Sequence, residues 1–578
     1  MRMKLIGIVA ASALVGAAVL AQTRGGGSEW LTAQGDAQRT SWIRTDAAIS
    51  VGAFSSPGFE LQWKVKLENQ PRHTNGLAQG VTANGVTLFV PLSLVTGSSN
   101  NVYSIDNDTG YVVWQRHFDA ALPAATAACP GGITAAATRV VPLTPPAPAA
   151  GRGGGGGRGA GYRGSVSEPG QGVTVEPRGG GPGRGAPPAT PPAAGASGAG
   201  AGGAGAAGPP AGGGGRGGAA AAPGIPGAPP GAPSGGFGRP SGVVYVISSD
   251  GVLHVLGLPS GKDIQKPAPF LPSNANWSDP VAVNTTLYTA TSNRCGDAAN
   301  GIWAIDLAAE DKPVSSWKTN GGAVVGSLAV GLDGMLIAAI GPGPASAGGY
   351  ANAIVAVDPK TMQVKDWFTD PGAEFVSTPV IFSHGDKNIV AAATKDGRAL
   401  LLDASSLGGA NHSTPLYASA SVAGGAGAFA PGALATWQEM LPDVTAGPGT
   451  RWLLVPTANA ITALKVVDSG GKPVLQPGWV SRNLVSPVTP LIVNGVVFAL
   501  SSGRPSATAG ATPAELAKRS SPAVLYALNG ADGKELWTSG KTMTSFFPGK
   551  SFWSATGQVY VGAFDGTLYA FGFAMERK

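Results

Sequence analysis

The sequence predicts an all-β protein: an eight-bladed β-propeller, closed by a strand from near the N-terminus and interrupted by a Gly/Pro/Ala-rich insertion. Three observations carry that prediction. A pair of short apolar strands recurs eight times, tight Gly-containing turns join several of the pairs, and a Trp follows many of them. Composition agrees. The 578 residues include 90 Gly and 48 Pro, and only 12% are charged, too much Gly and too little charge for a helical bundle. Two Cys exclude a disulfide-dense miniprotein. A mean hydropathy of +0.11 speaks against a polytopic membrane protein.

Residues 1–21 read as a secretory signal, with Arg2 and Lys4 ahead of an apolar run from Leu5 to Ala21. The expected location is periplasmic or secreted, with no transmembrane segment after cleavage. No Cys follows the run, so lipidation there is not available. Residues 22–58 form an N-terminal segment, and 59–144 with 242–578 form the propeller. Residues 145–241 are a low-complexity insertion in blade 2. Gly, Ala and Pro make up about three quarters of it, leaving little side-chain surface to offset the entropy of ordering, so disorder is expected.

The charge sits in these two extra segments. Of the formal +6, the signal carries two positives and the insertion seven Arg against two Glu, which leaves −1 for the rest. A near-neutral body and an insertion with few aromatics give no nucleic-acid partner.

Within the body one strand recurs as VYSID at 102–106, LHVLG at 253–257, IWAID at 302–306 and IVAVD at 354–358. It continues as ALLLD at 399–403, ITALK at 461–465, LYALN at 525–529 and LYAFG at 568–572. A preceding strand is expected at Val86–Val90, Val243–Ile247, Thr286–Ala290, Met335–Ala339, Asn388–Ala392, Trp452–Pro456, Val496–Leu500 and Gln558–Gly562, on their β-branched and aromatic content. Turns such as Lys395-Asp396-Gly397 supply the positive φ of hairpins. A third strand ends near Trp114, Trp317, Trp367, Trp479 or Trp537. The eighth repeat lacks an outer strand, and Leu61–Lys66 is expected to supply it, removing an open sheet edge.

Ser104-Ile105-Asp106, Thr109-Gly110 and Trp114 form a run that Ala527, Asn529, Asp532-Gly533 and Trp537 repeat. This resembles the tryptophan-docking repeat of the quinoprotein (PQQ-repeat) β-propellers of exported bacterial type. The segment Glu29-Trp30, Gly35-Asp36, Arg39-Thr40 and Trp42 is similar to the stretch that opens such proteins. The resemblance implies PQQ with Ca²⁺ as cofactor candidates and a dehydrogenase of alcohols or sugars. The sequence departs from it: it has no vicinal Cys pair, no Cys-x-x-Cys-His haem site, and no Ca²⁺ set that matches residue by residue.

Loops leading into the inner strands place candidates near the axis. Asp279 is the candidate base or cation ligand, Trp277 the stacking platform, Arg72 or Lys550 the partner of quinone carboxylates, and Asn75 a further cofactor-binding candidate. His73 has no metal-ligand spacing, and no metal site is assigned. Cys129, just before the inner strand of blade 2, and Cys295, in a loop of blade 3 on the same face, are expected to pair in the oxidising compartment. The functional expectation is a monomeric exported propeller that binds an unknown small molecule or envelope protein. A PQQ-dependent dehydrogenase and an envelope assembly scaffold are the alternatives.

Overall fold

The computed structural model describes residues 29–46, 48–87, 90–144, 242–344, 348–370, 372–422, 432–441, 448–505 and 511–574. The expected signal 1–21 and insertion 145–241 lie outside them. The described residues form eight antiparallel-based sheets that follow one another along the chain, an all-β eight-bladed propeller. One short helix, Pro513–Arg519, starts with a capping box between Thr512 and Glu515.

Blades 1, 4, 5 and 6 are plain four-stranded meanders. Blade 8 takes its outer strand from Phe59–Lys66, paired antiparallel with Thr567–Phe573, so the N-terminal closure expected from Leu61–Lys66 is present. Seven of the eight expected second strands fall within a residue or two of their places. The exception is blade 1, where the strand paired with Asn101–Asp106 is Val90–Gly97 rather than Val86–Val90. Residues Val81–Thr87 belong to the inner strand instead. Pro91 near the start of Val90–Gly97 hides the strand, because Pro is tolerated there only where no ladder N–H is needed.

Blade 2 is irregular. Its innermost strand is reduced to a bridge between Thr138 and Tyr245. The chain then crosses to blade 3, where Val140–Val141 run parallel to Val281–Val283. It leaves the described fold after Thr144 and returns at Gly242, ahead of the second strand of blade 2, Val243–Ile247.

The core lies in the seams between blades. One apolar cluster joins residues of blades 7, 8 and 1, another those of blades 1, 2 and 3, and others bridge 3 with 4, 4 with 5, 5 with 6, and 6 with 7. The repeated Trp and Gly work as a pair across these seams. The indole N–H of Trp63 in blade 8 donates to Asn107 O in blade 1, that of Trp114 in blade 1 to Leu258 O in blade 2, and that of Trp479 in blade 6 to Gly530 O in blade 7, at 2.7–2.8 Å. Each ring lies over a turn glycine of the receiving blade. A Cβ at Gly110, Gly261 or Gly533 would meet the ring at 2.5–2.6 Å, and all three have positive φ. The glycine therefore serves twice, as a turn former and as a landing surface for the plate of the preceding blade.

Candidate functional site

Eight equivalent positions define the axis. Gln79, Ala136, Asp279, Ser327, Thr378, Ala433, Thr489 and Ser551 stand at the head of the inner strands of blades 1 to 8. Three residues on, the inner strands meet the segment 30–46. Thr82 N–H donates to Trp30 O, Arg139 N–H to Leu31 O, Val330 N–H to Ala37 O, Ile381 N–H to Gln38 O, Thr436 N–H to Thr40 O and Ile492 N–H to Ser41 O. Thr32 Oγ1 donates to Pro280 O in blade 3, and Gly557 N–H in blade 8 donates to Asp46 Oδ2. So short a stretch can touch every blade in order only on the axis. It satisfies inner-edge N–H groups that would otherwise be left without partners.

Arg39 anchors this plug. Its side chain is fully buried. Nε donates to Leu328 O at 2.7 Å, Nη1 to Ala33 O at 2.6 Å and Thr32 Oγ1 at 3.2 Å, and Nη2 to Asp279 O at 3.1 Å. Burial pulls its pKa down to about 10 against the opposing charges of Asp279 and Asp36, so it stays charged at neutral pH.

At the head of the strands Asp279 is half-buried and Lys550 exposed. Asp279 Oδ1 accepts from Ala136 N–H at 2.7 Å and Oδ2 from Ser327 Oγ at 3.3 Å, so this one carboxylate joins blades 2, 3 and 4. Lys550 is reached by solvent but ringed by protein. That surrounding lowers its ammonium pKa, Arg504 lowers it further, and Asp279 opposes. Arg504 donates through Nη2 to Pro548 O and to Gly549 O, the latter at 3.0 Å, while its buried Nε has no partner. Burial brings its pKa to about 10. Neither Lys550 nor Arg504 forms an ion pair with a described carboxylate.

The structure thus couples two of the residues singled out from sequence, Asp279 and Lys550. Trp277 is 5% exposed, and its ring lies in the apolar seam of blades 2 and 3. Arg72 and Asn75 bond each other's backbone, and the Arg72 guanidinium donates to Pro130 O at 2.8 Å and to Pro123 O. Cys129 and Cys295 form a disulfide spanning 166 residues. Arg504, Arg39 and Ser327 were not singled out as ligand groups, and only the register of the inner strands points to Ser327.

These residues do not fit the metal–quinone set that the resemblance implies. Among the described residues no three His, Cys, Asp or Glu groups converge in a way that would hold a metal ion. The Asp279 carboxylate is engaged on both oxygens, and the candidate platform Trp277 is packed in a seam.

A second arrangement in blade 2 has the order of a catalytic triad. Ser248 Oγ lies 3.1 Å from His254 Nε2, and His254 Nδ1 lies 3.1 Å from Asp263 Oδ1. Ser248 has no exposed surface and also contacts Asp250 Oδ1 and Val252 O, so no substrate reaches it and the network is structural. Phe118 lies tilted against the imidazole with ring centroids 4.3 Å apart, and Arg116 pairs with Asp263 at 2.5 Å. Burial lowers the His254 pKa, and the Asp263 charge and hydrogen bond only partly offset it. Between the lowered folded value and the ordinary value of about 6.5 the unfolded chain binds more protons. Stability is therefore full above about pH 6.5 and falls as the pH drops below it. Urea midpoints at pH 7.5 and 5.5 should differ more in the parent than in His254→Gln; equal differences would contradict this.

No protein-family model matches the chain, and no curated protein matches it in sequence. Solved structures do. A quinohemoprotein alcohol dehydrogenase from Pseudomonas putida HK5 superposes with a TM-score of 0.50 at 11% identity, over 95% of this chain and 81% of that one. A europium-containing methanol dehydrogenase gives 0.50 at 10% identity, over 94% and 98%. At such identities the likeness is one of fold: this chain is built as quinoprotein dehydrogenases are built.

Proposed function

We propose that this protein is an exported binding propeller whose axial mouth takes a small anionic ligand through Lys550 and Arg504. The observation that carries this reading is that Lys550 and Arg504 are neighbouring cations, joined through Pro548 and Gly549, with no ion-pair partner among the described residues. Neighbouring like charges repel, and a carboxylate ligand relieves that repulsion through charge-assisted hydrogen bonds. Asp279 orients the mouth by holding blades 2, 3 and 4 together. Export is supported by the signal-like residues 1–21 and by the disulfide, which persists in oxidising compartments.

A PQQ-dependent alcohol or sugar dehydrogenase is the second reading. The same cation pair favours it, being suited to the carboxylates of that quinone. Titration with PQQ, with and without Ca²⁺, separates the two readings. One follows quinone absorbance and dye-linked oxidation of alcohols and sugars. We expect binding that does not need Ca²⁺, is weakened at least about ten-fold by Lys550→Met, and supports no turnover. Binding that requires Ca²⁺ and supports turnover would establish the dehydrogenase. Full affinity in Lys550→Met would remove the axial cations from either account.

A further inference from the structure

Beside the axial mouth, and sharing none of the residues described for it, lies a cleft of about 430 Å³. Its floor is Pro71, Arg72 and His73 of blade 1. One wall is the loop Ala125–Ala127, and the other is the start of the short helix at Ala511–Pro513. The size is that of a small-molecule pocket.

The walls are fixed. Arg72 holds the loop through Pro123 O and Pro130 O, and the disulfide ties the same loop at Cys129 to Cys295 in blade 3. Leu516 of the helix is buried against Phe546 and Phe564. Both hydroxyls of the lining are committed. Thr126 Oγ1 accepts from Cys129 N–H at 2.9 Å, and Thr512 forms the helix cap with Glu515.

One donor of the lining is left over. Among the described residues Arg72 Nη1 has no hydrogen-bond partner, since the guanidinium spends only Nε and Nη2 on the loop. His73 is nine-tenths buried, and its Nε2 has no partner. Its Nδ1 lies 3.4 Å from Thr74 Oγ1. His73 also holds a φ of 53°, a left-handed conformation that a residue other than Gly adopts at a cost. The Arg72 guanidinium, part-exposed in the lining, is the charged group the cleft offers to a ligand. The lining contains no acidic residue, and its remaining surface is Pro and Ala.

We infer that this cleft is a second binding site, and that it takes a small monocarboxylate with a compact apolar body. The carboxylate accepts from the Arg72 guanidinium, while the His73 ring closes the floor beside it. The apolar body lies against Pro71, Ala125, Ala127 and Pro513. Neutral analogues bind poorly, because they leave the guanidinium without its counter-charge.

The test is a fluorine NMR titration of the purified full chain with 4-fluorobenzoate and with 4-fluorobenzamide. Saturable binding of the acid is expected, with the amide at least about ten-fold weaker. Arg72→Gln should weaken the acid by a similar factor, but it also frees the loop. Ala127→Trp fills the cleft while leaving every Arg72 and His73 contact in place, and should abolish binding with an unchanged unfolding midpoint. Equal affinity for acid and amide, binding that survives Ala127→Trp, or no saturable binding at millimolar acid each overturns the inference.

Discussion

Replacing Arg39 by methionine is expected to lower the unfolding free energy by about 3–5 kcal/mol, because it strips hydrogen bonds from several buried acceptors at once. Leu328 O, Ala33 O, Thr32 Oγ1 and Asp279 O all accept from this one guanidinium. Methionine fills most of the volume, so the loss reports on the hydrogen bonds rather than on a cavity. Lysine is the informative companion. It keeps the charge but has a single point of donation, and should recover only part of the loss. Urea unfolding of the three proteins measures this; a drop of less than about 1 kcal/mol for Arg39→Met would mean that the plug contributes little to holding the blades.

The effect should also reach the axial mouth. Arg39 Nη2 holds the carbonyl of Asp279, whose carboxylate joins blades 2 and 4. A variant that remains folded should therefore bind an axial ligand more weakly, although Arg39 is not described as touching that ligand.

The repeat was legible in the sequence because it is enforced locally. Each blade must alternate seam-facing apolar residues and turn at a Gly or Asp-Gly, and each needs a plate for the next seam. Trp114, Trp479 and the Gly residues they cover carry this in their spacing. Blade 1 slipped because the β-prone run Val86–Val90 straddles the end of Val81–Thr87 and the start of Val90–Gly97, so local composition alone does not place the boundary. The site was legible only in part. Asp279 and Lys550 are found by position, just ahead of an inner strand. Arg504 is not, because it comes from a long loop outside the repeat. Trp277 has the residue type of a platform, but it pairs with Thr291 and its ring fills the seam. Whether an aromatic plate faces a channel or a neighbouring blade depends on tertiary packing that no local pattern records. The role of segment 30–46 was hidden for a related reason: six of the blades are met through its backbone carbonyls, which almost any sequence offers, and its path is set by the ring it completes.

Removing the disulfide with Cys129→Ala and Cys295→Ala together should cost about 2–5 kcal/mol. The bond closes a loop of 166 residues, for which the chain-entropy model gives a ceiling of about 5 kcal/mol. Two features pull the loss below that ceiling. Residues of blades 1, 2 and 3 share one apolar cluster, so the unfolded chain need not be as expanded as the model assumes. The loop Pro123–Pro130 also keeps its Arg72 contacts when the sulfurs are gone. The fold should therefore survive with a lowered urea midpoint, while the cleft beside Arg72 loses the tie that fixes one wall. Alkylation of the unreduced, denatured protein should label no thiol and that of the reduced protein two, as read by intact mass. Two labelled thiols without reductant would show that the bond does not form, and the stability argument would fail with it. The double variant also separates the two sites. Binding of 4-fluorobenzoate in the cleft should weaken, whereas an axial ligand held by Lys550 and Arg504 should be bound as before, because neither residue touches the disulfide loop.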